Sequence, residues 1–205
     1  MTIKDRKRID DYYSQKARKE KYPARSVWKL EEFDSKYSLF KAGQKILDLG
    51  CSPGSWSLYA AKIVGPRGLV LGLDLDPPDS SQFPENVILK KANLLEDSLE
   101  LAQGFSPFQV ILSDMAPKTS GRREIDQSKS LELCQMAWVW TKSLSAIGGD
   151  FLFKIFQSPD ADAFLKEISV NYERQIRLKP KATRSQSQEI FVLNKSYKGE
   201  PKGQN

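Results

Sequence analysis

Histidine is absent from the 205 residues. That removes His-based catalytic triads, His metal ligands and His general bases together, so proton transfer must use Lys, Asp, Glu, Tyr, Cys or water. Cysteine is scarce: Cys51 and Cys134 are the only two. They do not read as a disulfide framework in a chain of this size, and a reducing cytosol suits them best. No run approaches the roughly 18 uninterrupted apolar residues of a membrane-spanning helix. The start MTIKDRKRID is charged and has no apolar segment behind it, which argues against a secretory signal. A cytoplasmic protein with no membrane partner is expected. Internal repeats and low-complexity linkers are missing too.

What is present suffices for one packed domain, since 40% of the residues are hydrophobic. The expected division is a basic N-terminal arm over 1–25, a single domain over 26–197 and a tail over 198–205. The net charge of +6 is unevenly spread. Residues 1–29 carry ten Lys/Arg against four Asp/Glu, residues 30–173 fourteen against twenty, and residues 174–205 eight against two. Two basic ends therefore flank an acidic middle. Basic segments attract a polyanion such as RNA, although a charged arm can equally be a solvated tail.

The hydrophobic pattern alternates between helix and strand periods. Val27, Leu30, Phe33 and Tyr37 share one helical face, with Lys29 beside the stripe. Strands are expected at Lys45–Leu49, Leu69–Leu75, Val87–Lys91, Phe108–Ser113, Phe151–Phe156, Gln175–Leu178 and Ile190–Asn194. Helices are expected at Trp56–Val64, Ser128–Ala146 and Ala161–Tyr172, with a Gly148-Gly149 turn before the fifth strand. This is an α/β chain: a mostly parallel seven-stranded sheet of Rossmann-like type with helices on both faces. In such sheets a ligand binds beyond the carboxyl ends of the strands, where strand order switches.

The first strand ends in DLGCSPG, in which Gly50 and Gly54 let the backbone turn tightly and approach a ligand. Alone, such a turn occurs in many nucleotide-binding folds. The second strand adds Asp74, a carboxylate suited to ribose hydroxyls. The turn lacks G-x-G-x-x-G, and Pro53 has no N–H for a pyrophosphate. Asp48, Asp74 and Asp114 at the strand ends favour a cationic ligand, so these residues favour S-adenosylmethionine over NAD. Cys51 could be a nucleophile, but a small residue in a tight loop explains it equally well.

Two charged residues stand in unusual places. Lys154 interrupts the apolar strand FLFKIF, where an unpaired ammonium is costly to bury. Asp114 ends FQVILSD at the expected ligand edge. They could form an acid–base or orienting pair, or Lys154 could extend to solvent from the strand end.

In order along the chain stand VWKLEEF, DLGCSPGSW, the strand ending in Asp74, SDMAP, FKIFQ and SQEIFVL. Together these blocks, spanning about Asp11 to Leu193, resemble the FtsJ/RrmJ-type ribosomal RNA 2′-O-methyltransferases, which have the class I methyltransferase fold. The resemblance implies a Lys-Asp-Lys-Glu catalytic tetrad at Lys29, Asp114, Lys154 and Glu189. It implies S-adenosylmethionine contacts from Gly50, Gly54, Trp56, Asp74 and Asp114. Asn93 stands where relatives commonly carry an aspartate near the adenine. Lys154 would take or steer the 2′-hydroxyl proton, Asp114 would set its charge state, and Lys29 and Glu189 would orient the ribose, with no metal required. Arg18, Lys19, Lys21 and Arg25 on one side, and Lys179, Lys181 and Arg184 on the other, are expected to hold RNA phosphates. The implied substrate is a uridine of large-subunit ribosomal RNA, free or in an assembled particle, with tRNA as the alternative. A base methyltransferase fits less well, because DMAPK lacks the [DNS]-P-P-[YFW] turn with its stacking aromatic, and no cysteine stands near it. A non-catalytic RNA-binding module with a vestigial cofactor pocket and an NAD-dependent oxidoreductase are the rivals from other classes.

Overall fold

Near-continuous apolar runs in the inner strands give the sheet two buried faces to cover, and helices cover both. The computed structural model describes residues 12–184 and 187–199. The first part of the basic arm and most of the expected tail lie outside the described residues. Residues 12–19 are helical (α1), followed by α2 (Val27–Tyr37), β1 (Lys45–Leu49), α3 (Ser55–Val64), β2 (Leu69–Asp74) and β3 (Val87–Lys91). Then come a short α4 (Glu100–Gln103), β4 (Phe108–Ser113), α5 (Arg123–Leu144), β5 (Ser145–Phe156), α6 (Pro159–Ser169), β6 (Tyr172–Leu178) and β7 (Glu189–Tyr197). The seven strands form one sheet in the order β3-β2-β1-β4-β5-β7-β6. Only β7 runs antiparallel to its neighbours. The strand order switches between β1 and β4, which puts the ligand crevice at their carboxyl ends.

The side-chain period of two sorts the core into layers. Leu47, Leu49, Ile111, Phe151, Phe153, Ile155 and Val192 pack on the face covered by α5 and α6. Ile46, Val110, Leu112, Leu152, Phe191 and Leu193 pack on the other, against Leu30 and Phe33 of α2 and Trp56 and Ala60 of α3. A third, smaller cluster joins Ala17, Tyr22, Val27 and Trp28 to Ala182. The arm from residue 12 onward therefore packs on the body, helped by the Trp28 indole N–H donating to the Tyr13 carbonyl at 2.9 Å.

Several boundaries differ from the sequence expectation. Helix α5 begins at Arg123, five residues before the expected Ser128, because Asp126 accepts from the N–H groups of Ser120 and Gly121 and organises a polar first turn without apolar period. Gly148-Gly149 is not a free turn but part of β5, where the pairing with β4 slips from Phe108↔Ser145 to Val110↔Asp150. Gly148 has φ +78°, the left-handed conformation that accommodates the irregularity. Helix α6 starts at Pro159, because Ser158 caps the Ala161 N–H and proline suits the first helical position. It ends at Ser169, and Tyr172 opens β6 instead.

Phe33 is fully buried on α2 and packs on Phe191 of β7, with ring centroids 6.2 Å apart. Phe33→Ala should lower unfolding stability by about 3–5 kcal/mol, the usual cost of an emptied aromatic site. A urea midpoint unchanged from the native protein would show that α2 is not anchored there.

Candidate active site

Side-chain parity brings distant residues to one place. In β5, Lys154 alternates with Phe153 and Ile155 and so shares the α2/α3 face with Leu152. Asp114 follows β4 directly and keeps the parity of Val110 and Leu112. Strand β7 is antiparallel to β5, pairing Phe156 with Glu189 and Lys154 with Phe191. Its amino end therefore lies at the carboxyl edge of the parallel strands, with Glu189 on the face of Phe191. Lys29 reaches the same face from α2.

The side chains meet as two ion pairs. Lys154 Nζ donates to the Asp114 carbonyl at 2.5 Å and to its Oδ1 at 2.7 Å, with Lys154 only 6% exposed. Lys29 Nζ donates to Glu189 Oε1 at 2.5 Å and lies 5.1 Å from the centre of the Phe191 ring. Burial would raise the Glu189 pKa, but the charges of Lys29 and Lys154 and the Lys29 hydrogen bond outweigh it and hold the carboxyl below the usual glutamate range. Its ionised form therefore contributes stability above the ordinary glutamate pKa, and the contribution is lost as pH falls through the lowered value.

Asp114 lines a cavity of about 320 Å³ with Gly50, Ser52, Asp74, Leu75, Asn93 and Met115 among its walls. Gly50 has φ +74°, and a Cβ there would stand 2.2 Å from Met115 Cγ, so the turn needs glycine for both conformation and space. Asp74 Oδ2 accepts from the Ser52 N–H at 3.0 Å and Oδ1 from the Asp76 N–H at 2.9 Å, which fixes the carboxylate at the cavity wall. Asn93 Oδ1 accepts from the Leu95 N–H at 3.2 Å. Two expected cofactor residues stand apart from this lining. Trp56 is buried, its indole N–H donating to the Ser26 carbonyl at 2.9 Å. Gly54 caps α3 with φ +97°, and a Cβ there would meet the Phe83 ring. Asp48 does not edge the cavity either. It is 1% exposed, and its Oδ2 accepts from Ser57 Oγ at 2.6 Å. Burial, followed by the charges of Asp114 and Asp74, pushes its pKa up to about 7 despite the Ser57 bond. Cys51 is buried and its thiol pKa is raised, first by burial and then by Asp48 and Asp74, which disfavours a thiolate nucleophile.

A second cavity, of about 480 Å³, is lined by Lys29, Glu189, Arg25, Arg184 and Phe156, and Ala116 is common to both. The two basic segments converge here. Arg25 Nη2 donates to the Ala182 carbonyl at 3.2 Å, and the Lys181 N–H donates to Glu32 Oε2 at 2.8 Å. Arg25 and Arg184 thus reach the cavity, while Arg18, Lys19, Lys21, Lys179 and Lys181 are exposed beyond its lining. Lys179 Nζ donates to the Ser187 carbonyl at 2.6 Å. The sequence had not singled out Phe156, Ser52, Leu75 or Met115; only their nearness to motif residues hinted at them. Among the described residues no group of three or more His, Cys, Asp or Glu side chains stands where it could hold a metal ion. No helix among them is long and apolar enough to cross a membrane.

Comparison with known proteins matches residues 22–197 to the model of the FtsJ-like methyltransferase family. The chain is 43% identical over 196 residues to the ribosomal RNA large subunit methyltransferase E of Nitratidesulfovibrio vulgaris (strain DP4), covering 94% of this chain and 96% of that one. It is 43% identical over 192 residues to the protein of the same name from Bdellovibrio bacteriovorus, covering 92% and 97%. A crystal structure described as a ribosomal RNA methyltransferase from Plasmodium falciparum superposes with a TM-score of 0.74 at 24% identity, covering 87% of this chain and all of that one. That likeness bears on the fold.

The buried Asp48 yields a pH prediction. Its folded-state pKa lies above the ordinary carboxylate value, so the unfolded chain releases this proton first and stability falls as pH rises from about 4 to about 7. Asp48→Asn removes that loss. Its stability relative to the native protein should improve by about 2 kcal/mol between pH 5 and pH 8, measured by urea unfolding. A difference independent of pH would contradict a protonated buried carboxyl.

Proposed function

The chain belongs to the FtsJ-like methyltransferase family, and on that premise we propose that it transfers a methyl group from S-adenosylmethionine to a ribose 2′-hydroxyl of large-subunit ribosomal RNA, at a uridine, in the cytoplasm. The observation that carries this proposal is the pair of ion pairs at the junction of two cavities. Lys154 binds Asp114 on the wall of one, and Lys29 binds Glu189 on the wall of the other.

The first cavity suits the donor. When bound, S-adenosylmethionine supplies an electrophilic methyl carbon on a positively charged sulfur. Asp74 and Asp114 on the cavity wall make a negative field that favours such a cation over a pyrophosphate. Asp74 keeps lone pairs for ribose hydroxyls after accepting from Ser52 and Asp76. With Oδ1 of Asn93 engaged by the Leu95 N–H, its NH₂ is left for an acceptor on the adenine ring. Leu75, Leu94 and Met115 supply apolar walls.

The second cavity suits the acceptor. Lys29 and Glu189 orient the ribose, while Arg25 and Arg184 attract its phosphates. Two N–H bonds tie Lys154 Nζ to Asp114. Once the ammonium has given one proton to solvent, these leave the lone pair on the remaining corner of the nitrogen. Lys154 takes the 2′-hydroxyl proton as the oxygen bonds to the methyl carbon and the carbon–sulfur bond breaks. Asp114 then neutralises the new ammonium. In-line displacement gains chiefly from positioning, so the rigidity of the sheet end is part of catalysis.

Radiolabelled S-adenosylmethionine should label large ribosomal subunits or their naked RNA at an alkali-resistant linkage. Lys154→Ala should reduce turnover about 10²–10⁴-fold while retaining RNA binding. Label on tRNA alone would overturn the substrate. No label despite cofactor binding would favour a binding module. Gly50→Ala should weaken binding of S-adenosylhomocysteine at least tenfold by calorimetry, because both backbone and space oppose a side chain there; unchanged affinity would remove this turn from the cofactor site.

A further inference from the structure

Nine of the ten phenylalanines belong to, or pack against, one of the two large apolar clusters, and Phe156 does not. Nor does it join the small third cluster, and its ring has no aromatic neighbour among the described residues. It is partly exposed on the wall of the second cavity, with Lys29, Glu189, Arg25 and Arg184. An aromatic side chain carries a large apolar surface, and leaving it outside every cluster forgoes the gain of burying it. Its backbone is nonetheless firmly held. The Phe156 N–H donates to Ser130 Oγ at 3.0 Å, and the residue pairs with Glu189 across β5 and β7.

We propose that Phe156 is the platform on which the base of the target nucleotide stacks. This rests on the ribose-methylation reading above. Directly opposed residues in an antiparallel pair have Cβ atoms about 4.5–5.5 Å apart, so the ring lies beside the carboxylate that would orient the ribose. A ribose at Lys29 and Glu189 carries its base one glycosidic bond away, within reach of that ring. The cavity volume of about 480 Å³ falls within the range of single small-molecule sites. The base must therefore leave its own stack to enter, and the favoured substrate is an unpaired or extruded nucleotide. Every base offers a π-face, so this contact positions the nucleotide without selecting it. The choice of nucleotide then falls to the shape of the surrounding RNA, met by the basic segments.

The test compares Phe156→Leu and Phe156→Tyr in the full chain, on whichever RNA the native protein methylates. Phe156→Leu keeps apolar volume and loses the ring. It should lower kcat/KM about 5- to 100-fold, the scale of one base–aromatic stack, chiefly through KM. Phe156→Tyr should stay close to native, and both should bind S-adenosylhomocysteine as the native protein does. A Phe156→Leu enzyme with native kcat/KM overturns the stack, as does failure of Phe156→Tyr to restore activity. An equal loss of S-adenosylhomocysteine binding assigns the ring a structural role and also overturns it. These outcomes leave ribose methylation standing; only a native protein that methylates no ribose in any RNA removes the reading beneath.

Discussion

An ammonium buried at the end of a β-sheet must be answered by a carboxylate, and much of the site follows from that requirement. Lys154 is 6% exposed, and leaving its charge unpaired there would cost several kcal/mol. Asp114 answers it twice, through carbonyl and carboxylate, which ties the end of β4 to β5. Lys29, also buried, is answered by Glu189. The field of Lys154 reaches Glu189 as well. The two pairs are therefore one electrostatic unit, and removing any member leaves another charge without its compensation. Energies of single substitutions at these positions should not be added.

Topology supplies the fourth member. In a wholly parallel sheet every strand would reach the ligand edge with its carboxyl end. Because β7 runs the other way between β5 and β6, its first residue arrives there instead. Glu189 thus follows immediately after a basic loop, and that loop comes to the ligand edge with it. The same inversion brings Phe156 opposite Glu189.

Much of this was legible in the sequence because it is local. Seven strands could be read from apolar runs bounded by Gly, Pro and Asp, and Lys154 stood out as a charge within such a run. The acid-ended strands and the glycine turn marked the crevice. The pairing of Lys29 with Glu189, 160 positions apart, has no local signature; only the resemblance grouped them. The surroundings of the Trp56 side chain were not legible either. The motif block marks the residue, but only the folded structure shows that its indole N–H holds the Ser26 carbonyl and its ring packs on Phe191. Phe156 read as one more apolar residue of FLFKIF, since period alone cannot tell a ring that finds a cluster from one that does not. The early start of α5 escaped because its first turn depends on Asp126 bonds rather than apolar period.

The uneven charge along the chain becomes a separation in space. Asp74 and Asp114 line the cavity at the carboxyl ends of β2 and β4, whereas Arg25 and Arg184, from opposite ends of the sequence, share the neighbouring cavity. At physiological ionic strength a charge is felt over about 8 Å, so each cavity is governed by its own lining more than by the net charge. One therefore favours a cation and the other a polyanion, with Asp114 and its lysine between them. Packing keeps the two fields apart: Ala182 is buried with Tyr22 and Trp28, which pins the basic loop to the basic arm instead of letting either fold over the acidic crevice. A chain acidic in its middle and basic at its ends in this way presents two cavities of opposite charge side by side.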